Sequence, residues 1–154
     1  MNKVPMTEAM LSHLGICVTD VDRSRRFYCE LFGFKETYSR VVNDDRFARL
    51  MQSPKWNVEV VMLTLRDRRI ELVHHFDPPP NVDPVRTTNT VGYTHTAIYV
   101  PEVRGTAERA VQLGGKALWE TYLEVDVNGE SREYMYIMDP DDVRIELIRG
   151  QALG

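Results

Sequence analysis

Runs of alternating and helically spaced apolar residues follow one another along this chain in an order that occurs twice. Leu11-Ser12-His13-Leu14-Gly15-Ile16-Cys17-Val18 and Tyr93-Thr94-His95-Thr96-Ala97-Ile98-Tyr99-Val100 are both β-rich, each with a histidine at its third position, 82 residues apart. Arg69-Ile70-Glu71-Leu72-Val73 and Arg144-Ile145-Glu146-Leu147-Ile148 form a second matched pair, 75 residues apart. A loop insertion in the first half accounts for the difference, so the chain reads as two copies of one module, residues 9–76 and 91–149. In the first copy Asp20 or Asp22 caps a helix from Arg23 to Phe32, with Phe27 and Leu31 on one face and Gly33 as its stop. In the second copy Pro101 opens a helix with Val103, Ala107, Ala110 and Val111 on one face, and Gly114-Gly115 ends it.

Three strand-like segments follow each helix. They are Lys35–Tyr38, Val58–Leu65 and Ile70–His74 in the first copy, and Lys116–Leu118, Arg132–Met138 and Val143–Ile148 in the second. Asp139-Pro140-Asp141-Asp142 is a turn between the last two. Each module is therefore βαβββ, and the expected fold is α+β. One domain spans residues 9–149, with a Pro-rich connection at 77–90 and tails at 1–8 and 150–154. A four-stranded sheet with one helix on one face leaves its other face open. Two such modules side by side form a curved mixed sheet, a cup with the helices outside. Period-two alternation then sends Ile70, Leu72, Ile145 and Leu147 to the helix side, and Glu71 and Glu146 into the cup.

Composition narrows the classes. The chain has 154 residues, 43% of them hydrophobic and 27% charged, with a formal net charge of −4. That acidic balance lacks the positive footprint a nucleic-acid binder needs. No apolar run reaches the roughly 20 residues of a membrane span, and the first ten residues contain no signal-length hydrophobic segment. Cys17 and Cys29 make no disulfide framework, which places the expectation in the reduced cytoplasm. Cys17 is expected as a small apolar filler in a strand and Cys29 as a helix residue. No Cys-x-x-Cys, Gly-x-Ser-x-Gly or phosphate-binding loop is present.

The chemistry lies in the repeat. A glutamate bracketed by isoleucine and leucine costs several kcal/mol if buried without a partner, and the chain places one in the last strand of both modules. His13 precedes Glu71 by 58 residues and His95 precedes Glu146 by 51. Pseudo-symmetry brings the two pairs together across one cup. Two imidazoles and two carboxylates suit one divalent ion (Zn, Ni, Co, Mn or Fe), six-coordinate with water completing the shell. His75 lies an even number of positions from Glu71 and faces the cup as a candidate proton shuttle or substrate contact. Tyr134, Tyr136 and Met138 alternate on one strand face, while Trp56 and Phe47 are candidate walls. Arg66, Arg68 and Arg69 read as a solvated hairpin turn, and Arg23, Arg25 and Arg26 as the exposed side of a helix.

These residues together resemble the vicinal oxygen chelate superfamily, which includes glyoxalase I, methylmalonyl-CoA epimerase, extradiol dioxygenases and bleomycin- or fosfomycin-resistance proteins. The resemblance is carried by His13-Leu14-Gly15-Ile16, Arg26-Phe27-Tyr28 through Leu31-Phe32-Gly33-Phe34, Ile70-Glu71-Leu72, Thr94-His95-Thr96-Ala97-Ile98, and Asp139-Pro140-Asp141 through Ile145-Glu146-Leu147. It implies a metal cup of two βαβββ modules, metal ligands at His13, Glu71, His95 and Glu146, and a homodimer acting on a small molecule. A carboxylate at the second ligand position resembles the glyoxalase and epimerase branches, which abstract a proton beside a carbonyl; Glu71 or Glu146 is the expected base. The expected function is thus a metal-dependent lyase or isomerase. The alternatives are a single-domain Fe(II)-dependent ring-cleaving oxygenase, with Tyr136 in its site, and a non-catalytic drug-binding resistance protein. Cys17 stands where small bacterial glyoxalase I has an arginine that helps bind glutathione, and Gln52 falls where the epimerase has a catalytic glutamate. Both departures weigh against those named reactions.

Overall fold

The computed structural model describes residues 9–53, 55–82, 87 and 89–150. The tails 1–8 and 151–154, and residues 83–86 and 88 of the connection, lie outside them. Alternation and capping build the first half. Strand β1 (Leu14–Val18) leads to helix α1 (Val21–Phe32), whose first turn is capped by the Asp20 carboxylate accepting from the Arg23 N–H; Gly33, at φ 78°, closes its end. Then come β2 (Lys35–Asn43), a short helix α2 (Asp45–Leu50), β3 (Asn57–Leu65) and β4 (Arg68–Asp77). The second half has β5 (Thr96–Tyr99), α3 (Val103–Gln112), β6 (Lys116–Ala117), β7 (Leu123–Val127), β8 (Glu130–Met138) and β9 (Arg144–Arg149), with a 3-10 turn at Trp119–Thr121.

The fold is α+β, with two mixed sheets that do not close on each other. One is ordered β1-β4-β3-β2, the other β5-β9-β8-β6 with β7 paired to β8. In each, the first strand runs parallel to the last and every other pairing is antiparallel. Among the described residues, strands β1 and β5, the two that follow the histidines, each form an edge of their sheet.

One core joins the halves. Ile16, Phe27, Leu63, Ile70 and Leu72 belong to the same buried cluster as Val103, Ala107, Met135, Ile145 and Leu147. The helices α1 and α3 meet inside it. A polar clamp fastens the contact: the Tyr28 hydroxyl donates to the fully buried Asp139 carboxylate at 2.9 Å, and Asp141 accepts from Arg23 at 2.7 Å and from Thr19 and Ser24. Burial pushes both the Asp139 carboxyl and the Tyr28 phenol up.

Several expectations are corrected. Glu102, not Pro101, caps α3, accepting from the Arg104 and Gly105 N–H groups. Val111 is half exposed, because it sits about 80° round the helix from Val103, at the edge of the apolar stripe. Strand β2, irregular between Glu36 and Tyr38, continues past Tyr38 to Asn43, and α2 follows in a stretch for which no element was expected. Strand β4 starts at Arg68, so Arg68 and Arg69 are strand residues and the turn shrinks to Arg66-Asp67. Strand β7 is an addition to the second module, joined to β8 through Asn128-Gly129, both at positive φ. Cys17 is exposed rather than packed, since it is paired with Val73 on the same side of the sheet as Glu71.

Candidate functional site

Strand register alone places the histidines. Gly15 is paired with Glu71 and Ala97 with Glu146 in the two parallel ladders. Directly paired residues share a sheet face, as do residues two apart on one strand. His13 and His95 each stand two positions before the residue paired with glutamate, so both histidines fall on the glutamate's side. Nε2 of His13 lies 3.6 Å from Oε2 of Glu71, and Nε2 of His95 lies 3.3 Å from Oε2 of Glu146. All four side chains are part exposed, whereas Ile70, Leu72, Ile145 and Leu147 on the opposite face are buried in the core.

A hydroxyl orients each ring. Ser12 Oγ lies 3.0 Å from Nδ1 of His13, and Thr94 Oγ1 lies 2.9 Å from Nδ1 of His95. Engaging Nδ1 directs Nε2 toward the glutamate, and it fixes the Nδ1–H tautomer when Nε2 coordinates an ion. Sequence reasoning overlooked these two hydroxyls, although the repeat displays them: each histidine is preceded by a serine or threonine.

The donors fit a divalent cation. Ligands about 2.0–2.2 Å from one ion and at right angles lie about 3 Å apart, close to the spacing inside each pair. Each pair is nevertheless only half a shell. Among the described residues no group of three or more His, Cys, Asp or Glu is placed to hold a metal ion. The pairs sit on sheet faces directed away from the core their modules share.

The companions of the two pairs differ. Tyr136 is paired with Glu146, its ring centroid is 5.4 Å from that of His95, and the Arg144 guanidinium lies 5.3 Å over its ring. Burial pushes the Tyr136 phenol up, and the Glu146 charge adds to this against Arg144. Met62 occupies the matching place opposite Glu71.

His75 is not brought to the half-site. It shares the face of Glu71 but stands four residues on, about 13 Å along the strand, packed edge-on against Trp56 at 4.6 Å. Burial lowers its pKa. Trp56 and Phe47 cover Val42, Val58 and Val60 on this face, so α2 and its neighbours roof the far end of the first sheet's open side.

Comparison with known proteins agrees with this architecture. Residues 10–147 match the family model described as the Glyoxalase/Bleomycin resistance protein/Dioxygenase superfamily. A glyoxalase family protein from Bacillus cereus superposes with a TM-score of 0.80 at 21% identity, over 98% of this chain and 97% of that one. The fosfomycin resistance protein FosX from Listeria monocytogenes, complexed with Mn(II) and sulfate, superposes at 0.61 with 21% identity, over 93% of each chain. A glyoxalase/bleomycin resistance protein/dioxygenase domain from a Frankia species gives 0.63 at 18% identity, over 95% of each chain. Among curated proteins no sequence matches significantly.

Proposed function

This chain belongs to the Glyoxalase/Bleomycin resistance protein/Dioxygenase superfamily, and we propose that it is a metal-dependent lyase or isomerase of small carbonyl compounds, working as a homodimer in the cytoplasm. The metal centre comprises His13 and Glu71 of one protomer with the partner's His95 and the partner's Glu146. The observation that carries this reading is the twinned half-site. Each half presents one imidazole and one carboxylate with the same register and the same hydroxyl support, beside a strand that is a sheet edge among the described residues. Laying β1 of one copy along β5 of another covers both edges and joins the halves. A two-fold axis repeats the contact, giving two sites per dimer. That Listeria FosX was solved with Mn(II) supports a divalent ion in this fold.

A divalent cation supplies polarisation of the substrate's carbonyl oxygen, acidifying the adjacent C–H. Glu71 takes that proton as general base and returns it to the neighbouring carbon. Such a carboxylate contributes about 10²–10⁴-fold. Tyr136, paired with Glu146 and stacked edge-on against His95, donates a hydrogen bond from its phenol to the substrate oxygen. The same tyrosine supports a second reading, a ring-cleaving oxygenase using Fe(II), His13, His95 and Glu146.

Mixed dimers test the centre. A His13→Ala/Glu71→Ala chain and a His95→Ala/Glu146→Ala chain each lack a complete site as homodimers. Dissociated and reassociated together, they regain one intact site in each mixed dimer, so metal content returns to about half the wild-type value in the purified heterodimer and about a quarter in the statistical mixture. No recovery sinks the composite centre. Solvent deuterium entering substrate beside the carbonyl without oxygen uptake supports proton transfer; oxygen consumed in proportion to product selects the oxygenase.

A further inference from the structure

We infer that the substrate is an anion with an apolar, aromatic-sized body, its charge held by Arg144 and its body laid on an apolar row of the second sheet; this deepens the metal-site reading above and rests on it. Register sets out the second sheet's open face in rows about 6.7 Å apart, successive rows being two residues on along each strand. The middle row is Ala97, Glu146 and Tyr136. On one side lie Arg144 and Met138. On the other, Tyr99, Ile148, Tyr134 and Leu123 line up across four strands. The substrate's reacting atoms, next to Glu146, thus stand between a cationic row and an apolar one.

Charge decides the head. Arg149, one strand face over, is paired with Glu133, and Arg68 with Asp67. Arg144 makes no ion pair among the described residues; its guanidinium rests over Tyr136, beside His95. Two ligand carboxylates cancel the two charges of a divalent ion, so Arg144 leaves the site net positive. Arg69 repeats the arrangement, two residues before Glu71 and also without an ion pair among the described residues. A carboxylate on the substrate satisfies the planar guanidinium.

Exposure decides the body. Tyr99 is 47% and Leu123 52% exposed, although the apolar row they end runs unbroken between them. The corresponding row of the first sheet, through Val73 and Val60, lies against the Trp56 and Phe47 cluster and offers no such surface. Leu123 comes from β7, the strand that the first module lacks.

Titration calorimetry of Mn(II)-loaded protein with phenylpyruvate, pyruvate and phenylacetone separates the two recognitions, since pyruvate lacks the ring and phenylacetone carries methyl in place of the carboxylate. Phenylpyruvate is expected to bind at least tenfold tighter than either. Arg144→Gln should cost phenylpyruvate about tenfold to a hundredfold and leave phenylacetone unchanged, with metal content intact; Arg144→Lys should restore part of the loss. Tyr134→Ser with Leu123→Ser should bring phenylpyruvate down to pyruvate. Binding of all three within threefold, or an Arg144→Gln protein that keeps the wild-type preference for phenylpyruvate over phenylacetone, overturns the proposal. The same titrations on Mn(II)-free protein keep the questions apart. There, a preference for phenylpyruvate over phenylacetone that Arg144→Gln abolishes upholds the anion site even if the mixed dimers recover no metal, and an absent preference overturns it.

Discussion

The two half-sites are the same in one respect and opposite in another. Both set an imidazole beside a carboxylate through identical parallel register, and both steady the ring with the hydroxyl of the preceding residue. Around them the sheets diverge. Glu71 faces Met62 on a surface partly roofed by α2, Phe47 and Trp56. Glu146 faces Tyr136 on a bare surface, with Arg144 to one side and an exposed apolar row to the other. What repeats is what an ion requires, and an ion is nearly isotropic. What differs is what an asymmetric organic molecule requires. On the proposed reading, the second module holds the recognition surface, and the first supplies ligands and a wall.

The sharpest break in that comparison is between the carboxylates. Glu71→Gln should keep much of the metal, because an amide oxygen still coordinates, while turnover falls about 10²–10⁴-fold if Glu71 is the base. Under the oxygenase reading the effects reverse: Glu71→Gln matters little and Glu146→Gln abolishes activity, with Tyr136→Phe impairing it. Metal content and turnover measured on the same three proteins distinguish the cases. A smaller effect tests the likeness of the halves. Ser12→Ala and Thr94→Ala should each weaken metal affinity about 10–100-fold, by freeing the imidazole ring. Equal losses mark the halves as equivalent ligand pairs; a loss at only one shows that one half dominates binding.

The histidine and glutamate pairs were legible in the sequence because the repeat displays them and because period two assigns their face. Strand β7 was not. Its residues Leu123-Glu124-Val125-Asp126-Val127 lie on a sheet margin with none fully buried, so the hydrophobic contrast is weak; the Asn128-Gly129 hairpin signal was the better evidence. Helix α2 is too short for periodicity, and only its Asp44 cap, accepting from the Arg46 N–H, gives it away. Nor does alternation tell whether two open faces of one chain meet. That depends on how the helix sides pack, and here Tyr28 on Asp139, with Thr19, Arg23 and Ser24 on Asp141, fastens helix side to helix side. Each half-site is thereby left facing outward. The sequence contains every residue of that clamp, but their pairing spans more than a hundred positions and follows no period.

His75 gives the smallest effect and probes the wall rather than the ions. It has no counterpart on the second sheet: the residue 75 positions on is Gly150. Burial, aided by neighbouring His74 and opposed by a hydrogen bond with the Pro78 backbone, lowers its pKa below the ordinary 6.5. A histidine depressed in the folded state binds its proton more readily in the unfolded chain. Its contribution is present above about pH 6.5 and is lost as pH falls through the folded value. Thermal unfolding should therefore show Tm falling between pH 7.5 and pH 5, and His75→Gln should flatten that slope. Because the ring is only partly covered, the difference should be a few degrees at most. A His75→Gln protein with an unchanged slope would mean that the Trp56 roof is open to water, and the distinction between a covered first sheet and a bare second one would fail at that end of the site.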